Sequence, residues 1–273
     1  MATSISVVIV THNSSAVLES CLAHLDKQTI PAQEVIVVDS GSSDTAYLQP
    51  LSSRGGLRLV TTDNIGFGRA NNLGFQLLRG VEEGMVVFLN PDTFLPPDFF
   101  AQAVGVLNEN PRAGAISGKL LAFDLLSMKA TGKIDSAGIY RRWYGRWYDR
   151  GQGAQDVGQY DLIASPPALC GALLCCRLKA LEPFGETVFD PDFFLYKEDI
   201  DLCLRLRNNG WTLIYDPRLI ACHCRGWSRR RHSVAYALRL SAARSEVLLC
   251  KKHPGPQLFW AWSKYLAVRL LRF

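Results

Sequence analysis

The chain has 273 residues, 48% of them hydrophobic, and a formal net charge of +5. That is enough apolar sequence for one large α/β domain, or one domain with additions, and it excludes a disordered chain. The charge is lopsided: residues 218–273 carry nine arginines and three lysines against Glu246 alone, a net of +11, while the remainder nets −6. A basic end on an acidic body calls for an anionic partner, either a membrane surface or nucleic acid.

In chain order, Ser6 to Val10 is a β-branched run that reads as a strand, and Ala16 to Lys27 follows with helical periodicity. The first run is too short, and lacks the basic flank, to be a signal peptide. Further strands are expected at Glu34 to Asp39, Leu57 to Val60, Met85 to Leu89 and Ala113 to Ser117, with a helix over Gly68 to Leu78. Near-continuous apolar strands separated by helices predict a Rossmann-like, mostly parallel sheet flanked by helices. Such sheets bind ligands beyond the carboxyl ends of their strands. Polar residues fall at those ends: Thr11-His12-Asn13, Asp39, Asn64 and Asn90-Pro91-Asp92.

Tyr140 to Tyr160 is rich in Trp, Tyr, Arg and Gly and reads as an irregular hairpin or loop. A strand over Ala168 to Cys176, a helix from Asp199 to Asn208 stopping at Asn209-Gly210, and a strand over Trp211 to Tyr215 follow. Helices over Val234 to Cys250 and Pro256 to Phe273 form a basic C-terminal helical extension. The eight cysteines show no framework spacing and no Cys-x-x-Cys, which fits buried free thiols and a cytoplasmic location.

Phe193 to Asp201 is the most informative segment, with Glu198, Asp199 and Asp201 directly after an aromatic run. Hydrophobic surroundings tune a carboxylate toward general-base chemistry, whereas a plain acidic helix start is the structural alternative. Asp39 before Ser40-Gly41-Ser42-Ser43 can accept the imide N–H of a uracil or thymine ring, or can belong to a capped turn. Asn64-Ile65-Gly66-Phe67-Gly68-Arg69 offers backbone amides and a cation to a diphosphate, or is an ordinary loop before a helix. Asp92 is a hard oxygen ligand suited to Mg²⁺ or Mn²⁺, or part of a routine turn. His223 between Cys222 and Cys224 does not make a zinc site, because adjacent residues cannot easily chelate one ion.

Together these segments resemble the family 2 glycosyltransferases, inverting enzymes with the GT-A fold, and most closely their rhamnosyltransferase-like branch. The resemblance spans about residues 4 to 252 and rests on Val7 to Asn13, Gln28-Thr29, Glu34 to Asp39, Asn64 to Gly68 with Ala70-Asn71-Asn72, Leu89 to Thr93, Gly171 to Leu174 and Phe193 to Arg205. It implies a catalytic domain over 1–225, with a nucleotide-binding half to about 120 and an acceptor and base half beyond it, before the 226–273 extension. Thr11, Asn13, Asp39, Asn64, Gly66, Asn71, Asn90 and Asp92 would bind the nucleotide, and Asp92 with His223 would hold Mg²⁺ or Mn²⁺. The family often writes its metal motif with two aspartates, and Asn90 replaces the first here. Asp199 would be the general base, with Glu198 as the alternative.

The implied activity moves a sugar, rhamnose among the candidates, from a dTDP- or UDP-linked donor to a glycan or lipid-linked acceptor in cell-surface polysaccharide synthesis. An inactive GT-A-like module that binds glycan or lipid is the alternative. A Rossmann oxidoreductase is disfavoured, because Thr11-His12-Asn13-Ser14-Ser15 has no glycine for a dinucleotide pyrophosphate. On the acceptor side, Trp143, Tyr144, Trp147 and Tyr148 with Arg141, Arg142 and Arg146 can stack on sugars, contact a lipid-linked diphosphate or pack a hairpin. Arg229-Arg230-Arg231-His232 reads as a basic loop over the donor or a solvated charge run. The Trp-rich basic helix from Pro256 is too short and charged to span a bilayer and suits a peripheral position at the inner membrane face, or packing on the domain or a second copy. No nucleic-acid module accompanies the charge, so no nucleic-acid partner is expected.

Overall fold

The computed structural model describes residues 4–78, 83–224 and 235–271. The basic run Arg229 to His232 lies outside these residues, as do Val234, Arg272 and Phe273.

Strand β1 (Ile5–Thr11) is buried along its whole length and pairs in parallel with both β2 (Glu34–Ser40) and β4 (Met85–Leu89). Strand β3 (Leu57–Thr62) extends the parallel set beyond β2. Strands with near-continuous apolar, β-branched centres suit this position because helices cover both faces of the sheet. Helix α1 (Leu18–Asp26) buries Leu18, Cys21, Leu22 and Leu25, one face at helical spacing. Helix α2 (Phe67–Gln76) crosses so close that a Cβ on Gly74 would meet the Val8 side chain at 2.5 Å.

Beyond β4 the sheet becomes mixed. β10 (Leu173–Arg177) runs antiparallel to β4 and to β6 (Ala113–Asp124). β11 (Thr212–His223) lies parallel to β6 and carries the short β5 (Thr93–Phe94) on its far edge, and β7 (Lys129–Ser136) also pairs with β6. The order is β3-β2-β1-β4-β10-β6-β11-β5, and β8 (Ile139–Arg141) with β9 (Trp147–Asp149) forms a separate hairpin. The expected α/β sheet is therefore present, mostly parallel, with helices on its faces.

Several elements run differently from expectation. β6 and β11 extend far past the predicted Ser117 and Tyr215. At Gly118 a Cβ would collide with the Leu219 carbonyl oxygen, so the missing side chain lets β11 bulge between Asp216 and Ile220 and both strands continue. Residues 168–172 are loop rather than strand, held by an Ile139–Ala168 bridge. The helix α3 (Phe99–Glu109), not anticipated, buries Phe99, Phe100, Ala103, Val106 and Leu107. The small α4 (Leu178–Leu181) follows β10.

Helix α5 (Glu198–Asn208) begins at the acidic segment, and Gly210 follows its end with φ +83°, as the sequence predicts. Helix α6 (Tyr236–Lys252) packs on the domain rather than away from it. Ser245 donates to the Leu195 carbonyl at 2.9 Å, Lys252 pairs with Asp190 and Asp192, and His253 reaches Asp201 at 2.8 Å. Helix α7 (Leu258–Leu271) then lies on α6 through Leu258, Ala261 and Tyr265. The eight cysteines are free thiols, seven of them buried. No helix among the described residues is long and apolar enough to cross a membrane.

Candidate active site

Two adjoining hollows open at the carboxyl ends of β1, β2 and β4. The first, about 580 Å³, is lined by His12, Asn13, Ser40, Asn64, Gly66 and Asp92 among others. The second, about 510 Å³, is lined by Trp147, Tyr148, Gly171, Glu198, Asp199 and His223 among others. Phe67, Asn90, Asp92 and Leu195 belong to both walls. The segments carrying residues 92, 199 and 223 thus meet, and Asp92 stands at the junction.

The first hollow has a base of polar turns. Asp39 is 2% exposed, and its carboxylate accepts the Ser42 hydroxyl and the Ser42 N–H. The Asn13 N–H donates to Ser42 Oγ at 2.7 Å, and Asn13 Oδ1 accepts from the N–H and hydroxyl of Ser43. Asn13 therefore ties the β1 loop to the Asp39 turn. Gly41, at φ +72°, sits where a Cβ would be 2.5 Å from the Asn64 backbone nitrogen, which brings the Asn64 loop to the same floor.

Three expected nucleotide-binding residues stand behind the walls. Thr11 bonds the Tyr47 hydroxyl at 3.0 Å, Asp39 is engaged by its own turn, and Asn71, 1% exposed, donates to the Phe67 carbonyl within α2. Arg69 is also held back, its Nε–H donating to the Pro191 carbonyl at 2.9 Å.

The second hollow is built around α5. Tyr196 and Lys197 hold φ +70° and +75°, a left-handed pair that non-glycine residues adopt rarely and that tends to mark functional sites. This kink turns the chain abruptly into the helix. It is fastened on one side by Ser245 and on the other by Gly66-Phe67, where the Phe67 N–H donates to the Phe194 carbonyl at 2.9 Å. A Cβ on Gly66 would lie 2.4 Å from that same carbonyl oxygen, so the glycine lets the two hollows share a wall.

The two acids of α5 differ in setting. Asp199 is half-buried, and its carboxylate accepts the Gly171 N–H at 2.9 Å and the Ile200 N–H at 2.8 Å. Burial raises its pKa, and those two N–H bonds together with Lys197 partly oppose the rise. Glu198 is 6% exposed, and its Oε2 has no hydrogen-bond partner among the described residues. Burial first, and then the neighbouring Asp199 charge, push its carboxyl up to about 8.

His223 closes the far side. Its Nε2 faces Asp92 Oδ1 at 3.3 Å, and its Nδ1 bonds Asp135 Oδ2 at 2.7 Å. Burial alone would lower the imidazole pKa, but the two carboxylates outweigh it and hold the ring protonated to about 9. Asp135, fully buried on β7, was not expected from the sequence, and only its place beside a long-range histidine reveals it. A carboxylate behind one imidazole nitrogen is the usual support for a metal-ligating histidine. Among the described residues no three His, Cys, Asp or Glu side chains cluster as a metal cage. The Asp92–His223 pair instead fits a cation that displaces the Nε2 proton of His223 and takes its other ligands from a substrate diphosphate.

The comparisons bear on the family and the fold. The Glycosyl transferase family 2 model matches residues 6–142, and the Glycosyl transferase family group 2 model matches residues 85–252. The N-acetylglucosaminyl-diphospho-decaprenol L-rhamnosyltransferase of Mycobacterium tuberculosis is 26% identical over 96% of this chain and 90% of its own. Among solved structures, GalNAc-T7 with UDP, GalNAc and Mn²⁺ superposes with a TM-score of 0.73 at 15% identity, over 98% of this chain and half of that one. The mannosyltransferase PcManGT from Pyrobaculum calidifontis, with GDP-Man and Mn²⁺, gives 0.62 at 20% identity over 99% of this chain and 71% of its own. These neighbours share the GT-A fold. The chain belongs to glycosyl transferase family 2, and its activity is glycosyl transfer.

Proposed function

We propose that the chain is an inverting, metal-dependent transferase that moves a sugar such as rhamnose from a dTDP- or UDP-linked donor to a hydroxyl of a lipid-linked glycan. The observation that carries this reading is the shared wall at Asn90 and Asp92, with Asp199 across the second hollow. The donor nucleotide occupies the first hollow, its base toward Asn13 and the Asp39 turn, and its diphosphate at Asp92. The acceptor enters the second, whose wall includes Trp147 and Tyr148 with the Arg141 and Arg142 guanidinium groups 5.2 and 4.5 Å from their ring centres. Residues to about 120 then serve the donor and residues 121–225 the acceptor and base.

Asp199 accepts the proton of the acceptor hydroxyl as that oxygen bonds the anomeric carbon. The bond from that carbon to the donor phosphate oxygen breaks on the opposite face, so configuration inverts. Asp199 suits the role better than Glu198, because it opens on the hollow while the Gly171 and Ile200 N–H groups fix its carboxylate. Glu198 is buried beside it, and burial first and then the Asp199 charge push its own carboxyl up. Asp92 and His223 would hold Mg²⁺ or Mn²⁺, which when bound offsets charge on the departing diphosphate. Asp135 orients His223 for that task. The lipid-linked acceptor is supported by the mycobacterial relative, whose name specifies a diphospho-decaprenol acceptor, and a lipid-linked glycan acceptor fits cell-surface polysaccharide synthesis.

The test is transfer from dTDP-rhamnose to a prenyl-diphosphate sugar with Mn²⁺, with Asp199→Asn alongside. The variant should lose about 10²–10⁴-fold in rate while nucleotide binding stays nearly intact. Full activity in the variant would remove the base assignment, and retention of anomeric configuration in the product would remove the single displacement.

A further inference from the structure

The fold joins two features that lie more than a hundred residues apart in sequence, the tip of the β8–β9 hairpin and helix α7. In the hairpin turn, Gly145 has φ +112°, and a Cβ there would meet the Gln257 side chain at 2.7 Å. The Tyr144 ring packs edge-on to Trp260 with centroids 5.0 Å apart. The turn is therefore seated against the first turn of α7, and it leaves Trp143 91% exposed.

Helix α7 has two apolar faces. Leu258, Ala261 and Tyr265 pack on α6, whereas Phe259, Trp262, Leu266 and Leu270 point outward. The outward set recurs at i, i+3, i+7 and i+11, which makes one stripe along the helix. Phe259 is 84% exposed and Leu270 72%. Scattered apolar residues on a surface need no explanation, but a continuous stripe on a helix that also seats the turn carrying an exposed tryptophan marks an interaction site.

The rim of this stripe is cationic. Arg141, Arg142 and Arg146 flank Trp143, while Arg244, Lys251 and Arg269 are exposed on α6 and α7. Lys251 Nζ lies 5.5 Å from the centre of the Trp262 ring. The acid facing this region, Glu246, is buried and paired with Lys264. An apolar stripe bordered by cations is complementary to hydrocarbon beneath anionic headgroups.

We propose that Trp143 and the outer face of α7 form one docking surface for an anionic phospholipid bilayer, with α7 lying in the interface plane. Its purpose rests on the proposed function: β9 leads back from this same turn and places Trp147 and Tyr148 in the wall of the acceptor hollow. Docking brings that hollow to the level at which a lipid-linked diphosphate emerges from the membrane.

Co-sedimentation of the full chain with sucrose-loaded vesicles tests this, comparing phosphatidylcholine alone with phosphatidylcholine plus phosphatidylglycerol at low and high salt. The chain should sediment with the anionic vesicles, and high salt should weaken the binding. The double variant Phe259→Ser/Leu270→Ser and the single Trp143→Ala should each weaken it about tenfold or more. The double variant should keep the wild-type melting temperature and its stabilisation by dTDP or UDP. Should it instead melt early, quenching of wild-type tryptophan fluorescence by brominated lipid decides the point, and quenching is expected. Absent sedimentation, equal sedimentation with neutral vesicles, or undiminished binding by both variants would overturn the surface. So would a dimer that the double variant converts to monomer without any vesicle binding. Absence of vesicle binding by the unaltered chain, with transfer to a water-soluble acceptor intact, condemns the surface alone. Vesicle binding without use of any nucleotide sugar leaves the surface standing and condemns the transferase assignment.

Discussion

Two buried carboxylates give the site its character at the scale of single residues. Glu198 carries a proton in the folded chain up to about pH 8, against an ordinary value of 4.5, because burial and then Asp199 disfavour its charge. The folded state therefore binds more protons than the unfolded state between those limits. Its contribution to stability is complete below the lower value and is lost as pH rises to about 8. Melting temperatures across that range should fall more steeply for the wild type than for Glu198→Gln, in which the raised Asp199 and His223 still titrate, and equal slopes in both would contradict the burial argument. Asp135 is the other case, since it holds the Nδ1 side of His223 at 2.7 Å. Asp135→Asn should weaken Mn²⁺ binding, measured calorimetrically with the nucleoside diphosphate present, by about 10–100-fold. An unchanged Mn²⁺ affinity would reduce Asp135 to a core residue. The sequence made Asp92, Asp199 and His223 legible through their local company, an apolar strand end, an aromatic run and a late lone histidine. Asp135 had no such signal, because its partner lies 88 residues away and its own strand reads as an ordinary polar stretch.

Among the elements, the decisive contact is between the Gly66 loop and the 193–197 kink. The first lines one hollow and the second leads into Glu198 and Asp199 in the other, so one latch sets their spacing. Gly66→Ala should cost about 1–3 kcal/mol of stability, since the residue has φ +86° and no room toward the Phe194 carbonyl. Denaturant unfolding gives the first number, and transfer should drop further than the stability loss explains. A variant with wild-type stability and rate would show that the latch does not matter. The Asn64 to Arg69 segment reads from the sequence as a diphosphate loop or an ordinary loop before a helix, and its partner at Phe194 has no local signal. The central strands β1, β2 and β4 were legible because continuous β-branched burial leaves few alternatives. The outer parts of β6 and β11 were not, because they owe their extension to pairing around Gly118 rather than to local propensity. Helix α3 carries its buried residues at readable helical spacing, and the signal was passed over between two turns rich in proline and asparagine.

For the whole molecule, the first hollow faces the parallel half of the sheet, the second faces the hairpin and α5, and α6 braces the 193–197 kink from behind. The C-terminal helices are thus part of the site's scaffold as well as a carrier of positive charge. The account depends on both substrates meeting at Asp92. A crystal structure with dTDP or UDP and Mn²⁺ tests this most directly. The account predicts the pyrimidine beside Asn13 and the Asp39 turn, the diphosphate at Asp92 and His223, and Asp199 facing the terminal phosphate across empty acceptor space. Nucleotide density elsewhere on the molecule, or with Asp199 screened from the phosphate by protein, would contradict it.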